Sequence, residues 1–270
     1  MSQLGSAALH ERVVAALKEV SGESIVPRFN KLRKEDVRAK THPADLVTIA
    51  DEEAEQRLTP ILRAALRGSR VIGEESVAAD AGLLRLLEED QPVWVIDPVD
   101  GTSNFVNGIP RFAVIVALIA RGETIMGWIH DPLTGNTIAA EQGAGAWSTA
   151  ISGDVSRCEL PPVPSALKEM TVALHPKAYA RSLGQFARNL RQGSAAHDYW
   201  ALAEGRMHLL AYRKMKPWDH AAGVLIHREA GGYNAMLDGA PYRPAHPEQE
   251  WLLCAPNDSL WREIAEMAER

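Results

Sequence analysis

The stretch Asp97-Pro98-Val99-Asp100-Gly101-Thr102-Ser103-Asn104-Phe105 places two aspartates three residues apart, followed by a glycine and two hydroxyl residues. It comes directly after the apolar residues 92–96, a pattern that predicts a buried strand. Open α/β sheets bind their ligands at the carboxyl ends of strands. The stretch therefore predicts an α/β fold with an acidic site where this strand ends.

The two aspartates of this stretch are suited to a cation. Carboxylates this close repel each other, and one stays protonated unless a cation lies between them. Magnesium is the simplest such cation because it prefers oxygen ligands. Gly101 and the backbone N–H groups after it can approach an anion, most naturally a phosphate. The alternative is that the Asp-Pro and Asp-Gly pairs are ordinary turns.

Three further segments bear on this choice: residues 45–51 (DLVTIAD), residues 72–76 (IGEES) and residues 217–223 (PWDHAAG), which continue to Gly232. Together with the aspartate stretch, in this order and at this spacing, they resemble the inositol monophosphatase family of magnesium-dependent, lithium-sensitive phosphatases. The resemblance covers residues 40–232. It implies alternating layers of helix and sheet, usually in a homodimer.

The resemblance also implies a set of metal ligands for two or three magnesium ions. Two ions that share a carboxylate can hold a phosphate and activate a water molecule. By resemblance, the first ion takes Glu74, Asp97 and the Val99 carbonyl, and the second takes Asp97, Asp100 and Asp219. For Asp219 alone, a helix N-cap would be an equally good interpretation.

Catalytic roles follow from the resemblance for Asp51, Thr102 and Glu74. Asp51 and Thr102 match the pair that orients and deprotonates the attacking water. The alternatives are helix capping for Asp51 and a turn hydroxyl for Thr102. Lys40 matches a lysine on a mobile loop near the metals, or is a solvated lysine in a charged loop.

The resemblance further implies residues that bind the substrate. Those on the phosphate side are Gly101, Thr102 and Ser103, and those that line the sugar or inositol ring are Gly193, Ser194, Ala195, Tyr212 and Asp219. Inositol-preferring relatives carry a glutamate at the position of Tyr212, so this departure weakens the case for inositol. The basic residues Arg213, Lys214 and Lys216 that follow favour a more anionic substrate or form a solvated turn.

Other acidic and imidazole side chains receive structural interpretations. We expect Glu75 to support the site or face solvent. We expect His197, His220 and His227 to be packing or surface residues, because magnesium prefers oxygen.

Composition and charge exclude several classes of function. The chain has 270 residues, 46% of them hydrophobic, a net charge of −6 and a pI near 5.9. An acidic chain argues against binding to nucleic acid or to a membrane surface, which needs a basic face.

Cys158 and Cys254 have no metal or redox spacing, so we expect reduced thiols. The first residues lack a signal-peptide pattern and the apolar residues 112–120 are too few to span a bilayer, so we expect a cytoplasmic protein.

The order of elements predicts a layered α/β sandwich. Helices are predicted at residues 4–20, 51–66, 179–190, 195–204, 219–229 and 258–269. Strands are predicted at residues 112–120, 124–131, 137–141, 145–148, 171–174 and 207–211, besides the strand before Asp97. Residues 31–43 read as an irregular loop. The proline-rich residues 152–164 read as a linker between an N-terminal lobe (1–152), with most metal ligands, and a C-terminal lobe (165–270).

The function expected from these features is hydrolysis of a small hydroxylated metabolite monophosphate, inositol 1-phosphate or similar. Histidinol phosphate, fructose 1,6-bisphosphate and 3′-phosphoadenosine compounds are alternative substrates. A binding protein in which metal serves only structure is the competing class, and it would show a decayed ligand set, whereas every carboxylate that maps to the family is present.

Overall fold

A computed structural model describes residues 3–43, 45–174, 185–246 and 251–269. Its strands are β1 (Val37–Ala39), β2 (Leu46–Thr48), β3 (Arg70–Gly73), β4 (Val93–Asp100), β5 (Ala113–Ala120), β6 (Glu123–His130), β7 (Thr137–Glu141), β8 (Gly145–Thr149), β9 (Val155–Cys158), β10 (Thr171–Ala173), β11 (Arg188–Asn189), β12 (Leu209–Arg213), β13 (Tyr233–Met236) and β14 (Trp251–Ala255). Its α-helices are α1 (Gln3–Val20), α2 (Ile49–Ala65), α3 (Glu74–Ala79), α4 (Thr102–Val106), α5 (Ala195–Ala203), α6 (Pro217–Glu229) and α7 (Asp258–Glu269).

These strands form a two-stranded sheet and two larger sheets. β1 and β2 pair with each other. The larger sheet has seven strands in the order β3 to β9, in which β3 and β4 are parallel and the other pairs are antiparallel. The smaller has five strands in the order β11-β10-β12-β14-β13 and mixes parallel and antiparallel pairs.

Helices separate and cover the two larger sheets. On one face of the seven-stranded sheet, α1 and α2 bury apolar side chains such as Leu17 and Leu58 against Trp94 and Trp128. These side chains recur every three or four residues along each helix, which places them on one face. On the opposite face α5 and α6 lie between the two sheets, and α7 packs on the far side of the five-stranded sheet. The predicted layered α/β sandwich is confirmed.

Small residues bring the inner layers together. A Cβ on Gly127 of β6 would lie 2.8 Å from the Ala222 Cα of α6, and one on Gly223 would lie 2.2 Å from the Tyr199 ring. The helix that carries Asp219 is therefore held close to the central sheet. One core cluster joins residues of both halves of the chain, and the division into two lobes stays a prediction.

Several predicted elements need correction at the edges of the fold. The predicted loop at residues 31–43 contains β1, and the predicted linker contains β9, which extends the seven-stranded sheet. β12 begins at Leu209 and ends at Arg213, two residues later than predicted at both ends. Residues 179–184 of the predicted helix at 179–190 lie outside the described residues, and Arg188–Asn189 form β11 instead. β1, β9 and β11 bury few side chains, so no hydrophobic pattern marks them.

Candidate active site

Asp97 and Asp100 meet because β4 contains an irregularity at this point. Asp97 lies opposite Ile115 of β5 and Asp100 lies opposite Ala113, so three steps along β4 match two along β5. Side chains three residues apart in a regular strand point to opposite faces of the sheet. The extra residue lets both carboxylates reach the same site. Pro98, which has no N–H to donate, lies where the ladder is already interrupted.

Asp219 joins these two residues from the first turn of α6. One carboxylate oxygen from each of Asp97, Asp100 and Asp219 lies within 4.8 Å of the others. We call these three residues the aspartate cluster. The N-cap of α6 is Lys216, so Asp219 is inside the helix and the N-cap interpretation does not apply. Chain segments more than a hundred residues apart thus converge on one acidic centre.

The electrostatics of the aspartate cluster suit a cation. Burial raises the pKa of Asp97 well above its usual value, and the charges of Glu74, Asp100 and Asp219 raise it further. Burial likewise raises the pKa of Asp100, to about 6, and that of Asp219. In the described part of the chain no lysine or arginine forms an ion pair with the cluster. Buried, mutually repelling carboxylate oxygens fit Mg²⁺.

The N-terminus of α5 holds Asp100 in place. The backbone N–H groups of Ala195 and Ala196 donate to its two oxygens at 3.1 and 2.9 Å, and the Ser194 hydroxyl donates to it as well. Ser194 is also the N-cap of α5 and accepts from the His197 N–H. The predicted substrate-lining segment thus reaches the site, where Ser194 and Ala195 contact Asp100.

Gly101 is required by both its conformation and its surroundings. Its φ is +86°, in the left-handed region that favours glycine. A Cβ there would lie 2.9 Å from the Arg111 carbonyl oxygen and 3.1 Å from the Ser194 Cβ. The turn places Thr102 and Ser103 in the first turn of α4, where backbone N–H groups have no partner within the helix.

Thr102 and Asp51 are in contact, as the sequence predicts for a pair that acts together. The Thr102 hydroxyl lies 3.0 Å from the Val99 carbonyl oxygen and 3.3 Å from Asp51 Oδ1. Asp51 Oδ2 accepts hydrogen bonds from the backbone N–H and the hydroxyl of Thr48, so Asp51 also caps α2. Burial raises the Asp51 pKa to about 7, against these two hydrogen bonds.

Glu74 is close to the aspartate cluster but is paired with a lysine. Lys40 Nζ donates to Glu74 Oε1 at 2.6 Å and to Glu75 Oε1 at 2.9 Å. Burial lowers the Lys40 pKa, but the charges and hydrogen bonds of Glu74 and Glu75 outweigh it and raise the pKa overall. The Lys40 and Glu75 side chains are only 12% and 14% exposed, so neither faces solvent. We call Lys40, Glu74 and Glu75 the lysine–glutamate triad.

Tyr212, which the resemblance assigns to the substrate ring, is held by contacts with its neighbours. Its hydroxyl donates to Asp198 Oδ2 at 2.7 Å, and its ring lies 4.7 Å from the His220 ring. The Arg191 guanidinium lies 5.7 Å from the centre of the Tyr212 ring. Asp100 is near enough for its charge to raise the Tyr212 pKa, after burial and Asp198. The Tyr212 hydroxyl therefore already has a hydrogen-bond partner. It cannot take the place of the glutamate carboxylate that would accept hydrogen bonds from the hydroxyls of an inositol ring.

The basic residues Arg213, Lys214 and Lys216 lie between the end of β12 and the start of α6. Arg213 and Lys214 are exposed, and Lys214 has a left-handed backbone with φ of +65°. Lys216 Nζ lies 4.9 Å from the centre of the Trp218 ring, at the start of α6. They surround the turn between β12 and α6.

The histidines lie outside the aspartate cluster, as expected. His197 Nδ1 is 3.0 Å from the Ser194 hydroxyl. His220 contacts the Tyr199 hydroxyl, and His227 packs against Gly232. Burial lowers the pKa of His220 and of His227 to about 3, so both are neutral at physiological pH.

Three residues around the site escape prediction from the sequence. Glu55 accepts from the Glu75 and Ser76 N–H groups at 2.8 and 2.9 Å and fixes the turn that carries Glu74. Asn104 Nδ2 donates to the Arg111, Gln192 and Gly193 carbonyls. Asp198 holds Tyr212. Glu55 lies four residues after Asp51 and therefore on the same face of α2, a spacing that could have indicated that it supports the site. No such signal exists for Asn104 and Asp198, because their partners are distant in sequence.

Comparison with known proteins agrees with this geometry. The model of the inositol monophosphatase family matches residues 9–269. The chain belongs to the inositol monophosphatase family. An inositol-1-monophosphatase of Mesorhizobium japonicum is 32% identical over 241 residues, 87% of each chain. A fructose-1,6-bisphosphatase/inositol-1-monophosphatase of Thermotoga maritima is 31% identical over 215 residues, 77% of each chain.

A solved structure supports the same assignment. The extragenic suppressor protein suhB of Bartonella henselae superposes with a TM-score of 0.80 at 26% identity, over 97% of this chain and 99% of that one. The protein is thus a member of a family of phosphatases in which Mg²⁺ binding is typical. In the described residues, no helix is both long and apolar enough to cross a membrane.

Proposed function

We propose that this protein is a Mg²⁺-dependent phosphomonoesterase that acts on a small hydroxylated metabolite phosphate, inositol 1-phosphate or similar. The observation that carries the proposal is the aspartate cluster, whose oxygens converge within 4.8 Å in a buried site with no paired cation among the described residues. Such a cluster is costly to fold unless a cation binds it. The family matched by the chain supports the same chemistry.

The proposed ligands are Asp97, Asp100 and Asp219, with the Val99 carbonyl and Glu74 completing the set for two or three ions. When bound, magnesium neutralises phosphoryl oxygens and lowers the pKa of the attacking water. The Val99 carbonyl accepts a hydrogen bond from the Thr102 hydroxyl at 3.0 Å, and this contact with another proposed site residue supports its assignment. To bind a metal ion, Glu74 would have to give up its hydrogen bond with Lys40.

Proton transfer is assigned to Thr102 and Asp51. The Thr102 hydroxyl would accept a hydrogen bond from the attacking water while it donates to Asp51. Because burial raises the Asp51 pKa to about 7, its carboxylate can take up a proton near neutral pH. Thr48 holds that carboxylate in a fixed orientation.

Substrate binding is assigned to two segments. The backbone N–H groups of residues 101–103 would hold the phosphate, since they open a helix and lie beside the cluster. Gly193, Ser194, Ala195, Tyr212 and Asp219 would line the rest of the substrate. Cytoplasmic location, a homodimer and the two lobes complete the proposal.

The names of the relatives favour two alternatives. The Thermotoga maritima relative is named for fructose-1,6-bisphosphate as well as inositol phosphate, so a sugar bisphosphate is a second substrate class. The Bartonella henselae neighbour is named a suppressor protein, which admits a role as a binding protein. The intact set of carboxylates favours catalysis.

The test is phosphate release from a panel with and without Mg²⁺. The panel holds inositol 1-phosphate, histidinol phosphate, fructose 1,6-bisphosphate, adenosine 3′,5′-bisphosphate and glycerol 2-phosphate. We expect Mg²⁺-dependent turnover that Asp219→Asn abolishes and that Asp154→Asn, an exposed aspartate on the turn before β9, leaves intact. Turnover of none of these compounds by folded, Mg²⁺-bound protein would contradict the proposal.

A further inference from the structure

The segment Arg191-Gln192-Gly193 is held rigidly beside the aspartate cluster. Asn104 Nδ2 lies 2.9 Å from the Gln192 carbonyl oxygen and 3.2 Å from that of Gly193. The Gln192 N–H donates to Asp198 Oδ1 at 3.2 Å, and its side chain donates to the His197 carbonyl at 2.6 Å. The backbone that carries Arg191 is thus fastened both to the Asp97–Phe105 stretch and to α5.

Tyr212 has no free polar group to offer a substrate. Its hydroxyl donates to Asp198, which is 1% exposed and accepts from Gln192 as well. Its ring is in contact with Tyr199, at 6.2 Å between ring centres, with His220 at 4.7 Å and with the Arg191 guanidinium. Little of the ring remains for stacking on a flat ligand group.

Arg191 is the outermost layer of this arrangement. It is exposed, its guanidinium forms no ion pair within 4.0 Å among the described residues, and its charge lowers the pKa of the nearby Asp198. Its contact with the Tyr212 ring orients the guanidinium without using its N–H donors. An arginine held in this way presents several donors in a planar fork that matches carboxylate and phosphate groups.

We propose that Arg191, supported by Tyr212 and Asp198, selects substrates that carry a second anionic group beyond the phosphate that is hydrolysed. The inference rests on the proposed phosphatase function and narrows its substrate class. The second anion is a phosphate or a carboxylate, since the guanidinium binds both. A neutral polyol such as inositol offers the N–H donors of the guanidinium no negative charge.

The experiment compares substrates that differ only in the second anion. Glycerol 2-phosphate and 2-phosphoglycerate form one pair, and fructose 1-phosphate and fructose 1,6-bisphosphate form the other. The first pair tests a carboxylate and the second a phosphate, with the product of the bisphosphate identified by NMR. We expect kcat/KM to be about tenfold to hundredfold higher for the doubly anionic member of at least one pair, the range for a hydrogen bond to a charged group.

Variants of Arg191 test whether this residue causes the preference for doubly anionic substrates. We expect Arg191→Gln to bring the kcat/KM ratio of the preferred pair close to one through a higher KM for the dianion, and Arg191→Lys to restore part of it. Arg213→Gln is the matched control, since Arg213 is an exposed arginine next to Tyr212 whose side chain points to the opposite side of β12. Tyr212→Phe should lower the ratio less than Arg191→Gln, because the ring is kept.

The outcomes separate this inference from the proposed function. Mg²⁺-dependent turnover with equal kcat/KM within both pairs would overturn the inference and leave the function standing. A ratio unchanged in Arg191→Gln would also overturn it. No turnover of any compound would overturn the proposed function, and the inference with it.

Discussion

The aspartate cluster and the lysine–glutamate triad are both acidic, but they are neutralised in different ways. In the triad, Lys40 donates to both glutamates at 2.6 and 2.9 Å, so one of the two negative charges is compensated, and burial raises the Glu75 pKa to about 7. In the aspartate cluster, three carboxylates lie within 4.8 Å and their pKa values are raised by burial and by one another. The first arrangement contains its own cation, whereas the second contains none and needs protons or a bound cation.

The difference indicates how the site is assembled. The aspartates are fixed by the backbone, through the irregularity in β4 and the N-terminus of α5. The Glu74 side chain is held by its ion pair with Lys40, which follows β1. Under the proposed function the aspartate cluster would be a preorganised cation site, and Glu74 could join it only if its contact with Lys40 were broken.

The largest effect is expected from breaking the aspartate cluster with Asp97→Asn. We expect activity to fall by more than about a hundredfold, beyond the loss typical of residues that only support ligands. In EDTA, however, the melting temperature should rise, because one of the repelling charges is gone. Phosphate release and thermal melting with and without Mg²⁺ measure both effects.

This prediction is specific because activity is expected to fall while the melting temperature in EDTA is expected to rise. A variant that simply disturbed the core would lower the melting temperature in EDTA as well as the activity. Asp154→Asn, on an exposed turn, should change neither quantity. A fall in melting temperature for Asp97→Asn in EDTA would contradict the view that the cluster is strained without a cation.

Much of the fold could be predicted from the sequence because its pattern is local. α1 and α7 carry apolar residues at helical spacing, and β4, β5 and β6 are runs of eight residues rich in apolar side chains, so the sequence predicts these elements. β9 buries only Cys158 of its four residues, and β11 has two residues, so neither shows a pattern. Edge strands of this kind form because a partner strand is present.

In the candidate site, too, local patterns can be predicted from the sequence and tertiary contacts cannot. Asp97, Asp100 and Gly101 are adjacent in sequence, and their turn chemistry is visible there. The contacts of Arg191, Asp198 and Tyr212 join a loop, a helix and a strand, so only the packing of α5 against the five-stranded sheet shows them. The pairing of Glu74 with Lys40 is also a tertiary contact, and no spacing rule predicts it.

An intermediate effect is expected from pH. A carboxylate whose pKa is raised on folding binds more protons in the folded protein, so its contribution to stability falls as pH rises towards that pKa. The relevant values are about 6 for Asp100 and about 7 for Asp51, with Asp97 and Asp219 also raised. Mg²⁺ must displace the protons of the proposed ligands Asp97, Asp100 and Asp219, but not that of Asp51. We therefore expect Mg²⁺ affinity to rise at least about tenfold from pH 6 to pH 8.

The measurement is the difference in melting temperature between Mg²⁺ and EDTA at each pH. Buried His220 and His227, whose pKa values are lowered to about 3, destabilise the folded protein at acidic pH. Their contribution is common to both conditions and cancels in the difference. If the rise in melting temperature caused by Mg²⁺ is the same at pH 6 and at pH 8, Mg²⁺ does not displace protons from the aspartate cluster.

The smallest effect is expected from Lys40→Gln, which removes the cation of the lysine–glutamate triad. Glu74 and Glu75 would then repel each other in a partly buried site, at a cost of about 1–2 kcal/mol, below the cost for fully buried pairs. The free Glu74 should strengthen Mg²⁺ binding. We expect a lower melting temperature in EDTA and a larger increment with Mg²⁺ than in the unmodified protein, whereas Lys31→Gln, an exposed lysine of the same segment, changes neither. An unchanged increment in Lys40→Gln would show that Glu74 does not contribute to the cation site, which the aspartate cluster would then hold alone.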